Sequence, residues 1–152
     1  MNDFNDYNLS FVEKTALKEY LRLKIKNQEI IILGSQDMAS VLDVSRPRAH
    51  TILMNLRKKK ILKKLDRKGF MLTSEGEDLV NELCHREKLL EGLFHLNLKM
   101  PLEKAKIEAE NLSIYVSTDL VLSICKTLDI PVQCPHGIDI PHLHLAKSTL
   151  ED

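Results

Sequence analysis

Residues 35–73 read SQDMASVLDVSRPRAHTILMNLRKKKILKKLDRKGFMLT, and this stretch decides the fold. Its first part predicts a short helix over QDMASVLD, which Ser35 can cap and whose inward positions are Met38, Ala39, Val41 and Leu42. A second helix over SRPRAHTILMNLRKKK begins at Ser45, a good N-cap residue, with Pro47 in its first turn. Two helices joined by a short turn are therefore expected.

The end of this stretch predicts a β-hairpin. Residues 61–73 contain two short β-like runs around the turn Asp66–Gly69, where Gly69 supplies a positive φ. Upstream, apolar positions at a helical period predict a first helix over 9–26, and EIIIL (29–33) is a short β-branched run. The order helix, helix, short turn, helix, hairpin is that of a winged helix-turn-helix.

Downstream of the hairpin the pattern becomes helical, with three helices predicted over 74–98, 101–113 and 117–129. Ser74 and Glu77 are spaced as a capping box for the first, Pro101 opens the second, and Ser117 caps the third. The tail 131–152 contains Pro and Gly without a helical period, so it is expected to be irregular. The fold class is therefore mainly α, with a small β-hairpin wing.

Composition excludes several classes of protein. Charged residues make up 29% and hydrophobic residues 43% of the chain, and no apolar run approaches the roughly 20 residues that span a membrane. The amino-terminal MNDFNDYNLS is acidic and polar, unlike a secretory signal, and three scattered cysteines make no disulfide framework. A cytoplasmic protein is expected. An enzyme is not, because no phosphate loop, nucleophile motif or dinucleotide fingerprint occurs.

The net charge of zero hides an asymmetry between the two halves of the chain. Residues 1–72 contain 15 Lys and Arg against 8 Asp and Glu, whereas residues 73–152 contain 7 and 14. A basic half of this kind indicates a nucleic-acid or anionic-surface partner. A solvated basic face that binds nothing remains an alternative on charge alone.

The second helix of the quoted stretch has one apolar stripe, formed by Ala49, Ile52, Leu53 and Leu56. With that stripe turned inward, the polar residues face outward, where they can meet base edges or phosphates of double-stranded DNA. The candidate DNA-binding residues are Ser45, Arg46, Pro47, Arg48, His50, Thr51 and Asn55, with Arg67 and Lys68 in the wing. Other basic residues from Arg57 to Lys64 suit phosphates. The alternative is a winged helix used for protein contact.

Four segments resemble the diphtheria-toxin-repressor-like family of iron- and manganese-responsive regulators. They are VLDVSRPRAHTILMNLRKKKIL, FMLTSEGEDLV, REKLLEGLF and CPHGIDIP. The resemblance implies a winged-helix DNA-binding domain over residues 1–73 and a helical dimerisation and metal-binding domain over residues 74–152. It also implies a short form without the extra carboxy-terminal domain of larger members. In that family, metal binding favours operator binding.

Only some of the ligands of the family's usual inter-domain metal site have matching residues in this chain. Its ligands correspond here to Glu13, Glu87, Glu91 and Glu110. Two further family ligands fall on Ser113 and Ile114, and another falls on Lys106, whose charge can pair with Glu87 or Glu91 instead. Because Ile has no lone pair for a metal, this site is expected to be degraded.

A second ligand set, used by one branch of the family, survives intact as Glu91, Cys134 and His136. Carboxylate, thiolate and imidazole suit Zn²⁺ or Fe²⁺ and accept Mn²⁺, so a divalent transition metal is expected without its identity. His142, His144, Asp139 or water can complete the set. The plain alternative is that Cys134 is a small buried hydrophobe and that His136 is a hydrogen-bonding loop residue.

The combined prediction is a metal-responsive repressor that binds a palindromic operator as a homodimer. The dimer is expected because the helices over 101–113 and 117–129 are too apolar for a solvated surface. Two alternatives remain: a metal-independent dimeric winged-helix regulator of the same family, and a zinc-binding protein-docking module.

Overall fold

The computed structural model describes residues 6–27 and 29–128, and the chain divides into two compact units, Asp6–Val80 and the part that begins at Asn81. Within the described residues, one two-stranded antiparallel sheet accompanies a mainly helical chain, which confirms the predicted fold class. The elements are α1 (Phe11–Asn27), α2 (Ser35–Leu42), α3 (Arg46–Lys58), β1 (Leu62–Leu65), β2 (Gly69–Leu72), α4 (Ser74–Gly92), a π-helix (Leu93–Asn97), α5 (Leu102–Leu112) and α6 (Thr118–Thr127).

The helix-turn-helix of the first unit forms where the sequence predicts it. Asp43 ends α2 in the left-handed conformation, with φ 51°, which short polar side chains tolerate. Ser45 then caps α3, since its Oγ accepts a hydrogen bond from the backbone N–H of Arg48 at 3.4 Å. The predicted apolar stripe of α3 is confirmed, because its four members are buried: Ala49, Ile52, Leu53 and Leu56.

The start of α2 differs from the prediction by one residue. Gly34 is the N-cap and donates its N–H to the Asp37 carboxylate at 2.8 Å, whereas Ser35 is already helical. Val41 was expected to face inward but is 43% exposed. The buried face of this short helix is therefore carried by Met38 and Ala39.

The start of α4 also departs from the predicted capping box. Thr73 supplies the cap, because its Oγ1 accepts from the Gly76 N–H at 3.1 Å, and Ser74 is the first helical residue. The Glu77 carboxylate does not close a box onto Ser74 but forms an ion pair with Lys24. Adjacent hydroxyl residues compete for the cap, and the tertiary contact with α1 draws Glu77 away.

The wing is tied to the segment before α2. In the hairpin, Leu62 pairs with Leu72 and Leu65 with Gly69, whose φ of +123° confirms the predicted turn glycine. Leu33 and Phe70 exchange two backbone hydrogen bonds of 2.8 and 2.9 Å. The β-branched run 29–33 therefore contributes one isolated bridge rather than a strand.

The second unit follows the predicted order of helices. The helix predicted to reach Leu98 continues past α4 as the π-helix, Pro101 precedes α5, and the Oγ of Ser117 caps α6 by accepting from the Leu120 N–H at 3.2 Å. Its core brings α4, α5 and α6 together through Leu89, Leu90, Ala109, Val121, Ile124 and Cys125. No helix in the described part of the chain is long and apolar enough to cross a membrane.

Candidate functional site

The amino-terminal half of α3 presents a polar face to solvent. Arg46, Pro47, Arg48 and Thr51 are exposed, and Asn55, one turn further on, is half-buried. The Thr51 hydroxyl donates back to the Pro47 carbonyl at 3.1 Å, which leaves its methyl group and oxygen lone pairs for a partner. Ser45 is exposed too, although its side chain already caps the helix.

His50 is exposed but already engaged. Its Nδ1 lies 3.0 Å from the Ser35 hydroxyl at the start of α2, and its ring meets Phe70 edge-on with centroids 6.0 Å apart. Predicted as a DNA-contacting residue, His50 therefore also links α3 to α2 and to the wing. This positioning role was not evident from the sequence, since Ser35 and Phe70 are distant along the chain.

The hairpin turn carries the basic residues that the sequence assigned to it. Arg67 and Lys68 are exposed in the turn, and Arg67 adopts a positive φ of 55°. Most of the neighbouring cluster is exposed as well: Arg57, Lys58, Lys60, Lys63 and Lys64. Lys59 is the exception, because its ammonium contacts the Asn8 carbonyl at 2.9 Å and the Glu13 carboxylate at 2.7 Å.

Glu13, a candidate metal ligand from the family pattern, is buried and bound within its own unit. Its carboxylate accepts from the Ser10 N–H at 2.8 Å while its own N–H donates to the Ser10 hydroxyl at 3.3 Å, a reciprocal capping box for α1. The ion pair with Lys59 compensates its charge. The sequence Ser10-x-x-Glu13 carried this signal, which the sequence analysis missed.

The two carboxylates of α4 that match family ligands are buried and already have partners. Glu87 accepts a hydrogen bond from the hydroxyl of Ser113 at 3.3 Å, and Ser113 is a residue that the resemblance predicts at a ligand position. Glu91 lies 3.2 Å from the ammonium of Lys88, whose side chain is 4% exposed against 1% for Glu91. The expected cation partner Lys106 is half-buried on α5, while Lys88 makes the ion pair with Glu91.

The inter-domain ligand pattern does not fit a metal in this chain. Glu110 is half-buried, Ile114 is a buried apolar side chain, and Ser113 is a weak donor compared with His or Glu. Among the described residues of the second unit, no three His, Cys, Asp or Glu side chains converge on one position. Of the second set, Glu91 is a buried carboxylate of the right chemistry, whereas Cys134, His136, His142 and His144 lie outside the described residues.

A buried arginine that the sequence analysis did not single out organises the second unit. Arg86 pairs with Glu82 at 2.6 Å, and both side chains are almost fully buried. The same guanidinium donates to the Val116 carbonyl and, at 3.1 Å, to the Thr118 hydroxyl, so it holds the start of α6. A Glu four residues before an Arg is common on solvated helix surfaces, which hid this role.

Cys125 lies in the core of the second unit, with its sulfur 3.7 Å from Nε2 of His85. Burial raises the pKa of the Cys125 thiol, although its own backbone partly offsets the shift. Its environment is that of a packed core cysteine rather than of a thiolate ligand.

Comparison with known proteins identifies a matching family and several similar structures. Residues 73–142 match the family described as iron dependent repressor, metal binding and dimerisation domain. The regulator ScaR, solved with Cd²⁺ and with Zn²⁺, aligns in its Cd²⁺ form with 28% identity and a TM-score of 0.71, over 88% of this chain and 60% of that one. The manganese regulator SloR aligns with 26% identity and a TM-score of 0.65, over 86% and 59%.

A hypothetical protein from Sulfolobus solfataricus shares the fold, with 21% identity and a TM-score of 0.71 over 88% of this chain and 100% of that one. No curated protein matches the sequence. The chain spans about three fifths of the length of the regulators ScaR and SloR.

A winged helix-turn-helix followed by a metal-binding and dimerisation domain defines the class of metal-dependent transcriptional regulators. The resemblance of this chain to the diphtheria-toxin-repressor-like family, predicted from its sequence, is confirmed by these matches. The family binds divalent transition metals and its members are regulators rather than enzymes.

Proposed function

We propose that this chain is a metal-responsive transcriptional repressor that binds a palindromic DNA operator as a homodimer. The observation that carries the proposal is the exposed polar face of α3, held outward by its buried apolar stripe beside a basic hairpin turn. In this assignment, residues 1–73 bind DNA, and residues 74–152 dimerise and hold metal. No role as an enzyme is proposed.

DNA contact follows from the position of the side chains on α3. The amino-terminal end of a recognition helix meets base edges in the major groove, and we assign to the exposed Arg48 a bidentate contact with a guanine. Arg46 and Thr51 flank it on the exposed face. Arg67 and Lys68 in the turn contact phosphates, which contribute affinity but no sequence preference.

The homodimer is supported by an exposed apolar surface on the second unit. Large hydrophobic side chains remain open to solvent on and between α5 and α6, namely Ile107 at 56%, Leu112, Tyr115 and Leu120 at 46%. Large apolar side chains left open to solvent are a feature of interfaces, and a two-fold dimer would bury them on both copies. The same symmetry requires a palindromic operator, with two α3 helices in successive major-groove turns.

For the metal, the donors we propose are Glu91, Cys134 and His136. The metal ion supplies a positive charge that draws a carboxylate, a thiolate and an imidazole together, which stabilises the second domain and favours the dimer. Coupling between metal and DNA is reciprocal, so DNA tightens metal binding by the same factor. The relative ScaR was solved with cadmium and with zinc, and a manganese-dependent repressor was solved with manganese, which supports a divalent transition metal.

A metal-independent regulator is the second candidate, and one observation favours it. Lys88 pairs with Glu91, and the Ser113 hydroxyl donates a hydrogen bond to Glu87, so the two α4 carboxylates predicted as metal ligands have partners within the protein itself. A domain with such internal partners has less need of a cation to fold. Dependence of DNA binding on metal separates the two candidates.

The test is fluorescence anisotropy on an operator obtained by selection from random duplexes, with and without a chelator. Arg48→Ala should cost about 1–3 kcal/mol on that operator and relax preference at one base position. Lys68→Ala should weaken all sequences alike and reduce the slope of affinity against salt by about one unit. Lys104→Ala is the control, because Lys104 is also an exposed lysine but belongs to α5, which is not part of the proposed DNA face.

Equal effects of Arg48→Ala and Lys104→Ala would show that α3 is not the recognition helix. Selection that recovers no operator at low salt would instead support the protein-docking module. Operator binding that persists unchanged in chelator would favour the metal-independent regulator.

A further inference from the structure

Lys88 is buried near the carboxy-terminal end of α4, where an ammonium group is not expected without a strong reason. Its side chain is 4% exposed, and its Nζ lies 3.2 Å from Oε2 of Glu91, one turn further along the same helix. Removing an ammonium from water is costly unless an opposite charge and hydrogen bonds compensate it. Glu91, itself 1% exposed, provides that compensation.

The burial of both partners sets this pair apart from the ion pairs at the surface. Lys24 and Glu77, for example, have side chains that are 37% and 45% exposed, so water and salt screen their attraction. Between Lys88 and Glu91 the surrounding protein screens much less, and the attraction per unit charge is larger. Either charge left alone in this environment would be strongly unfavourable.

We propose that Lys88 is a built-in cation that competes with a divalent metal ion for Glu91. This inference rests on the proposed metal site, of which Glu91 is a donor. A metal ion at the carboxylate meets a like charge 3.2 Å from Oε2, so it binds only when the Lys88 ammonium moves away from Glu91. Lys88 therefore lowers the affinity of the site and raises the metal concentration at which the regulator responds.

The competition predicts that removing the ammonium tightens metal binding. Mn²⁺ and Zn²⁺ are each titrated into the full chain against a chromophoric chelator of known affinity. Lys88→Met keeps the length and apolar stem of the side chain but removes its charge, and should lower the dissociation constant by about tenfold or more. Lys88→Arg keeps the positive charge and should leave the dissociation constant for metal no lower than in the unaltered protein.

Two further variants identify the source of the effect. Lys104→Met makes the same substitution at an exposed site on α5 and should leave affinity unchanged. Lys88→Met combined with Glu91→Gln removes both charges. It should fold without metal and lose the gain in affinity, because the buried carboxylate that attracts the ion is no longer charged.

Each outcome decides the proposal. If the unaltered protein binds metal and Lys88→Met binds it no more tightly, competition by Lys88 is refuted while the proposed metal site stands. Should neither protein bind metal, the proposed site and the inference both fail. A Lys88→Met chain that folds only when Zn²⁺ or Mn²⁺ is added supports the proposal, since the metal then replaces the missing charge, and one that neither ion can fold contradicts it.

Discussion

Helix α4 has one glycine near each end, and replacing them by Ala should change the free energy of unfolding in opposite directions. At Gly76, a Cβ atom would lie 2.2 Å from the carbonyl oxygen of Ile61, a backbone atom that cannot rotate away. Relief to an ordinary contact requires a shift of roughly 1 Å. That shift disturbs the two hydrogen bonds, each 3.0 Å, that the Ile61 carbonyl accepts from Thr73.

The expected cost of Gly76→Ala follows from these contacts. Overpacking costs about 1–3 kcal/mol and each weakened hydrogen bond about 1 kcal/mol, against a helix-propensity gain of about 1 kcal/mol. A net loss of about 2–4 kcal/mol in the free energy of unfolding is expected. Gly92 has helical dihedrals and nothing within 4 Å of its Cβ position, so Gly92→Ala should stabilise by about 0.5–1 kcal/mol.

Urea unfolding followed by far-ultraviolet circular dichroism measures both changes against the unaltered protein. The two variants are matched, because one methyl group is added to the same helix in each. If Gly76→Ala unfolds at the same urea concentration as Gly92→Ala, then α4 does not approach Ile61 as closely as described, and the argument from packing is wrong.

Three further outcomes test other parts of the molecule. Tyr20→Phe removes a 2.9 Å hydrogen bond to the Phe70 carbonyl and should lower the free energy of unfolding in urea by about 1 kcal/mol. The loss should be no larger, because that carbonyl still accepts a hydrogen bond from the Leu33 N–H. An unchanged free energy of unfolding would contradict the Tyr20 hydrogen bond. Leu120→Glu should give folded monomers by sedimentation, with weaker operator binding, and a monomeric unaltered protein would rule out the dimer. Zn²⁺ at 100 times its dissociation constant should add about 2.7 kcal/mol to the free energy of unfolding. Cys134→Ser should remove this gain, whereas Glu110→Ala should not. If both variants lose the gain equally, the inter-domain ligands bind metal.

The order and type of the elements were predictable because they follow local rules. Ser45 and Ser117 accept the capping hydrogen bonds expected of them, and Gly69 adopts the positive φ that its turn requires. The two misplaced caps have one cause. At Gly34–Ser35 and Thr73–Ser74, neighbouring residues were both plausible caps, and hydrogen-bond geometry rather than residue type decided between them.

The candidate site was predictable only as a set of residues. The exposed face of α3 follows from the helical period, so Arg46 and Arg48 were identified correctly as solvent-facing. The engagement of His50 with Ser35 and of Glu13 with Lys59 joins residues that are 15 and 46 positions apart, which no periodicity encodes. Their DNA-binding and metal-binding roles stay predictions.

Sequence alone determined that this chain forms a basic winged helix followed by an acidic helical domain, because caps, turns and apolar periods act over a few neighbouring residues. The resemblance also predicts that Ser113 and Ile114 stand at ligand positions of the related regulators, which remains a prediction. Which charges α4 buries, in contrast, depends on how the chain folds around it and could be seen only in the folded molecule. A Lys three residues before a Glu is typical of a solvated pair on a helix surface. Here it is an internal counter-ion, because every residue of α4 from Glu82 to Glu91 is buried.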